Sequence, residues 1–60
     1  MINISQLTES DKNRKVIYTA YDDAIPEIGR ITSWNKRWIF VDYQGVGRGQ
    51  ATSPSKLEFE

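Results

Sequence analysis

Two β-rich runs, Ile28–Trp34 and Trp38–Tyr43, stand on either side of the polar triplet Asn35-Lys36-Arg37. Runs of β-branched and aromatic residues around a short polar break read as a β-hairpin. Successive side chains of a strand point to opposite faces, so the register of this hairpin decides what each face carries. With Trp34 opposite Trp38, the pairs Thr32–Phe40 and Arg30–Asp42 follow on one face. The other face then holds Ser33–Ile39, Ile31–Val41 and Gly29–Tyr43. This register sets the two charged residues against each other and gathers the aliphatic ones. A slip of one residue would place Arg30 against Val41 and mix the faces.

The flanking segments extend the β pattern. Lys15–Thr19 is β-branched and aromatic and reads as a first strand, ended by Asp22-Asp23-Ala24-Ile25-Pro26. Gln44-Gly45-Val46-Gly47-Arg48-Gly49 reads as a glycine-rich turn leading into a short strand, Gln50–Thr52. Ser53-Pro54-Ser55-Lys56 places Ser before Pro in the pattern of a single 3₁₀ turn. Leu57-Glu58-Phe59-Glu60 alternates apolar and acidic, so Leu57 and Phe59 are expected inside and the glutamates outside. Thr8-Glu9-Ser10-Asp11 has the form of a capping box with Asp11 in the acidic position, enough for one helical turn near the N-terminus. Five strands, a long central hairpin and a 3₁₀ turn before the last strand give the order of a small SH3-like barrel. The expected fold is therefore all-β, one domain over residues 1–60.

A chain of 60 residues with no cysteine and no histidine has neither disulfides nor the common zinc ligands to hold it. Packing must do so, and the seven aromatic residues are the natural means. The same absences remove the usual general base and the thiol nucleophile. Asp22 and Asp23 are adjacent and point to opposite sides in extended chain, a poor arrangement for sharing a proton. No enzymatic activity and no cofactor are expected. No run of 18 apolar residues exists to span a membrane, and Met1–Ser5 lacks the basic and apolar regions of a secretory signal. A cytoplasmic location is the expectation.

The strings Gly29-Arg30-Ile31-Thr32-Ser33-Trp34-Asn35, Trp38-Ile39-Phe40-Val41-Asp42-Tyr43, Ala51-Thr52-Ser53-Pro54 and Leu57-Glu58-Phe59 resemble small uncharacterised phage and prophage proteins. The resemblance covers residues 12–60. It implies phage or bacterial origin and an SH3-like fold, and it carries no catalytic residues across.

Three binding readings follow. In the first, Trp34, Trp38 and Phe40, flanked by Arg30 and Asp42, form an outward aromatic stripe that contacts a protein or peptide. Its structural counterpart is a stripe covered by the N-terminal segment with Ile2, Ile4 and Leu7. In the second, Lys12, Arg14, Lys15, Lys36, Arg37 and Arg48 grip a nucleic-acid backbone. Eight basic and eight acidic residues cancel, which disfavours that task, and Glu9, Asp11, Asp22 and Asp23 stand ready to neutralise the patch. In the third, the stripe is buried between copies of a self-associating subunit. Gly45-x-Gly47-x-Gly49 is followed by a strand rather than a helix and lacks the lysine of a phosphate-binding loop.

Overall fold

The computed structural model describes residues 1–60. Its strands are β1 (Lys15–Tyr18), β2 (Glu27–Trp34), β3 (Ile39–Asp42), β4 (Gln50–Thr52) and β5 (Leu57–Phe59), joined into one antiparallel sheet of order β4-β3-β2-β1-β5. The only helical pieces are 3₁₀ turns at Ile4–Gln6, Glu9–Asp11 and Pro54–Lys56. The fold is all-β, with the helical turns expected at Thr8 and Pro54 in place and one more at Ile4. None of these is a helix long and apolar enough to cross a membrane.

Sequence chemistry explains each turn. The Asp11 carboxylate accepts the Thr8 N–H at 2.9 Å, which fixes the Glu9–Asp11 turn. Asn13 then takes φ of 68°, in the left-handed region that asparagine tolerates, and swings the chain into β1. Pro54 occupies the first turn of Pro54–Lys56, where its missing N–H costs no hydrogen bond.

The sheet is rolled. Flat, five strands would hold β4 and β5 roughly 19 Å apart, at ~4.8 Å per spacing. Yet only Ser53 and the 3₁₀ turn Pro54–Lys56 lie between Thr52 and Leu57, and a turn of that kind rises just ~2 Å per residue. Hydrogen-bonded ladders join β4 to β3, β3 to β2, β2 to β1 and β1 to β5, and none joins β4 to β5. The barrel expected from the strand order is thus curled but not closed by a ladder.

Inside the roll, Val16, Ile31, Ile39, Val41 and Leu57 are fully buried, and Ile2 reaches in from the N-terminus to complete the core. The Ile2 N–H donates to the Pro54 carbonyl at 3.0 Å, so the N-terminal arm is tied to the turn between β4 and β5. Ile4, Leu7, Tyr18, Trp34, Tyr43 and Phe59 pack around this centre. Leu57 points in, Glu58 and Glu60 point out, and Phe59 is half-buried, with the Arg14 guanidinium 3.9 Å above its ring.

The central hairpin follows the expected register in its outer half only. Arg30 opposes Asp42 and Ile31 opposes Val41 as expected, but Trp34 opposes Ile39 and Ser33 opposes Phe40. The tip is shorter than the three-residue break implies. Asn35 N–H donates to the Trp38 carbonyl at 3.0 Å, leaving only Lys36 and Arg37 as the connection. The Asn35 side-chain oxygen accepts the N–H groups of both Arg37 and Trp38 at 2.8 Å and holds that turn. The one-residue slip is absorbed by a β-bulge at Thr32, between Ile31 and Ser33. Thr32 Oγ1 donates to the Phe40 carbonyl at 3.0 Å and fills the gap in the ladder.

Candidate functional site

The bulge redistributes the aromatic residues of the hairpin. Beyond Thr32 the alternation flips, so Trp34 joins its buried partner Ile39 and packs against the core. Phe40 stays on the outer side, half-buried, and the chain at Gly49 lies against it. A Cβ on Gly49 would stand 2.7 Å from that of Phe40. Trp38 alone of the three is exposed, at 42%. The expected stripe of Trp34, Trp38 and Phe40 is therefore corrected: Trp34 packs on the core, Phe40 is half-buried, and Trp38 alone is exposed. The N-terminal arm with Ile2, Ile4 and Leu7 covers the core, where Trp34 also packs, rather than an outward stripe.

Arg30 and Asp42 are cross-strand neighbours that do not form an ion pair. Arg30 Nη1 donates to the Asn13 carbonyl at 2.9 Å, tying the approach to β1 onto β2. The Asp42 carboxylate turns the other way, into the glycine-rich loop. It accepts the N–H of Gly47 at 2.8 Å on Oδ2, and those of Gln44, Gly45 and Val46 at 3.1, 2.9 and 3.3 Å on Oδ1. These amides, the Gly47 N–H foremost, hold its carboxyl below the ordinary carboxylate value. Gly45 and Gly47 have φ of 71° and 80°, which the wrap around one carboxylate requires.

The basic residues also separate. Lys12 pairs with Glu9 at 3.1 Å, Arg14 with Asp11 at 3.1 Å, and Lys15 lies 3.9 Å from Glu60. Each member of that cluster thus has its own carboxylate. The backbone bond from Thr8, and after it the Arg14 guanidinium, hold the Asp11 carboxyl below its usual range. Lys36, Arg37 and Arg48 are exposed with no carboxylate within 4.0 Å. Asp22, Asp23 and Glu27 are exposed and equally without a cation partner.

What the fold does assemble is a trough between β4 and the β1–β2 end of the roll. A concavity of about 350 Å³ is lined by Tyr18, Tyr43 and Trp38 together with Glu27, Gln50 and Lys56, and Ala51, Thr52 and Ser53 complete its wall. Tyr18 and Tyr43 meet edge to face, with ring centroids 6.0 Å apart and planes at 61°. Through Glu27, Tyr43 and Gln50 the trough adjoins a hollow of about 470 Å³ beside Ile28 and Gln44, and it continues in two further directions. Through Tyr43 and Gln50 it adjoins a hollow of about 330 Å³ that includes Asp42, Gln44 and Arg48. Through Trp38 it adjoins a hollow of about 440 Å³ at the hairpin tip, lined by Asn35, Lys36 and Arg37. All of these are shallow.

Hydrogen bonds fix the trough wall. Thr52 is buried, and its Oγ1 donates its one hydrogen to the Gln50 carbonyl at 3.1 Å. Its contact of 2.9 Å with the Tyr43 hydroxyl therefore has Tyr43 as donor. Burial pushes the Tyr43 phenol above its ordinary pKa. Lys56 Nζ donates to the Ala20 carbonyl at 2.6 Å and anchors the loop after β1 beside the trough.

Of the residues the sequence marks for binding, only Trp38 lines this central trough. Asp42 and Arg48 line its extension, and Lys36 and Arg37 line the tip. Tyr18, Tyr43 and Glu27 escape a strand-by-strand reading. They stand on different strands or strand ends, and only the rolling of the sheet collects them. The signal available was their position: Tyr18 ends β1, Glu27 begins β2 opposite it, and Tyr43 follows β3. No protein-family model matches this chain, and no curated protein and no solved structure matches it either.

Proposed function

We propose that this chain is a non-enzymatic interaction module that binds a protein or peptide along the trough, with Trp38 as the principal contact. The observation that carries this reading is the exposure of Trp38 where the trough and the hairpin tip meet, beside the half-buried pair Tyr18–Tyr43. Aromatic side chains in a shallow concavity are typical anchors of protein contacts, and here the bond of the Tyr43 hydroxyl to Thr52 holds one of them in place beforehand. The strand order, with a 3₁₀ turn linking the two edge strands, supports an SH3-like barrel as the fold on which this site stands. Phage or bacterial origin belongs to this reading on the strength of the residue resemblance alone.

The nucleic-acid reading is less well supported, because Lys12, Arg14 and Lys15 are matched by Glu9, Asp11 and Glu60. Selection of peptides from a random displayed library, followed by titration of the selected peptide into the domain, tests the proposal. Trp38→Ser is expected to abolish binding without changing the thermal midpoint. Binding should escape the steep linear loss in log salt that a run of phosphate contacts gives. Binding that survives Trp38→Ser unchanged contradicts the proposal. A doubled solution mass that reverts with the same substitution would instead support self-association.

A further inference from the structure

The uncompensated charges of this domain are sorted by position. At the hairpin tip, Lys36 and Arg37 have no carboxylate within 4.0 Å, and they share their hollow with Trp38. At the opposite end of β2, Glu27 lines the trough without a cation partner, and Asp22 and Asp23 are exposed in the segment leading to it. Arg30, which opposes Asp42 and donates to the Asn13 carbonyl, Lys56 and Arg48 are the cations at that end. The Lys56 ammonium is held to the Ala20 carbonyl, and Arg48 stands in the neighbouring hollow. Asp42 adds a further carboxylate, enclosed by its loop amides. The carboxylates outnumber the cations at the Glu27 end, while the tip has cations alone.

The geometry points to one occupant. We infer that the trough binds an extended peptide with an acidic residue at the Lys36–Arg37 end, an apolar side chain on Trp38, and a basic residue at the Glu27 end. This rests on the trough being a peptide site. Charge complementarity of this kind fixes the direction in which a ligand lies and rejects its reverse. The span follows from the strand. From Glu27 to Trp34, β2 runs eight residues, which bounds the span at roughly 23 Å, at ~3.3 Å per residue. An extended peptide covers that length in roughly seven residues, so the two charges of the ligand should stand no more than about seven positions apart.

The test is selection of random peptides of about ten residues on the intact domain, on Lys36→Glu/Arg37→Glu and on Glu27→Lys. The thermal midpoint of each variant is measured alongside, and Glu27→Gln is held as a milder second variant. All three positions are exposed, so folding should survive. The intact domain should select peptides with an acidic and a basic residue at that spacing around an aromatic or aliphatic one. Reversal at the tip should exchange the selected acid for a base, and reversal at Glu27 should exchange the base for an acid. Each should weaken the original peptide about tenfold or more. Peptides that need Trp38 but show no charge order, or an order indifferent to both reversals, overturn this inference and leave the peptide site standing. Selection of no peptide at all overturns both. Tight binding of a single-stranded oligonucleotide that vanishes with Lys36→Glu/Arg37→Glu would show that the tip reads phosphate, and overturns the inference as well.

Discussion

The Tyr43 hydroxyl donates to Thr52 Oγ1 at 2.9 Å, joining the end of β3 to the end of β4 across the wall of the trough. Thr52 is buried and passes its own hydrogen to the Gln50 carbonyl, so Tyr43 is the only protein donor to that oxygen. Tyr43→Phe should cost about 1–2 kcal/mol, the usual effect of leaving a buried polar atom without its partner. Chemical denaturation of the two proteins measures it. The pH dependence has a definite sign. The phenol's pKa is raised by folding, so its contribution is fully present below the ordinary tyrosine value near 10 and is lost as pH rises through the raised one. The stability gap between the parent and Tyr43→Phe should therefore narrow in alkali.

The glycine-rich loop depends on the ionised Asp42. Asp42→Asn keeps one acceptor and turns an amide NH₂ toward the N–H groups that the carboxylate now receives. The Gly47 N–H, bonded to Oδ2 at 2.8 Å, should lose most of its protection from hydrogen exchange at neutral pH. Because the folded carboxyl titrates below its ordinary value, the parent's advantage is present above that value and disappears as pH falls through the lowered one. Equal protection of Gly47 in both proteins at neutral pH would rule out this role.

Gly29 has no room for a side chain. A Cβ there would stand 2.5 Å from Val41 Cγ1, 2.9 Å from the Asp42 carbonyl oxygen and 2.9 Å from Tyr43 Cδ1. Gly29→Ala should destabilise by about 1–3 kcal/mol through overpacking, seen as a fall in the thermal midpoint. A midpoint at or above the parent's would show that β2 and β3 can separate locally at no cost.

The two apolar residues of β5 should differ. Leu57 is fully buried, so Leu57→Ala should cost about 2–5 kcal/mol, enough to unfold a domain whose small core supplies about 3–5 kcal/mol. Phe59 is half-buried under the Arg14 guanidinium, and Phe59→Ala should cost less than the full 3–5 kcal/mol of a buried aromatic. Thermal melts of the two variants decide the order.

The residues that obey local rules were legible in the sequence. Leu57 and Glu58 follow the period of two, Pro54 starts its 3₁₀ turn, and Arg30 meets Asp42 because the far half of the hairpin sorts its faces unambiguously. Trp34 stands on the face opposite to the one simple alternation gives it, because two compensating events set the tip of the hairpin apart from that half. Lys36-Arg37 makes the connection without an Asn-Gly pair to announce a two-residue turn, and Thr32 bulges to restore the register. Nothing in the side-chain alternation marks either event. The charge pairing of Lys12, Arg14 and Lys15 was legible only as nearby acids, and Glu60 reaches Lys15 only because β5 pairs with β1. The trough was the least legible feature. It depends on the curl of the whole sheet, which brings Trp38, Tyr18 and Tyr43 to one surface from separate strands.

A titration followed by ¹H–¹⁵N correlation spectra tests the central claim most directly, with the domain labelled and a library-selected peptide added. The account predicts that the Trp38 indole N–H and the amides of Tyr18, Tyr43, Gln50 and Lys36 shift most, while Lys12, Arg14 and Lys15 stay in place. The largest shifts at Lys12–Lys15, with the Trp38 indole unmoved, would contradict it.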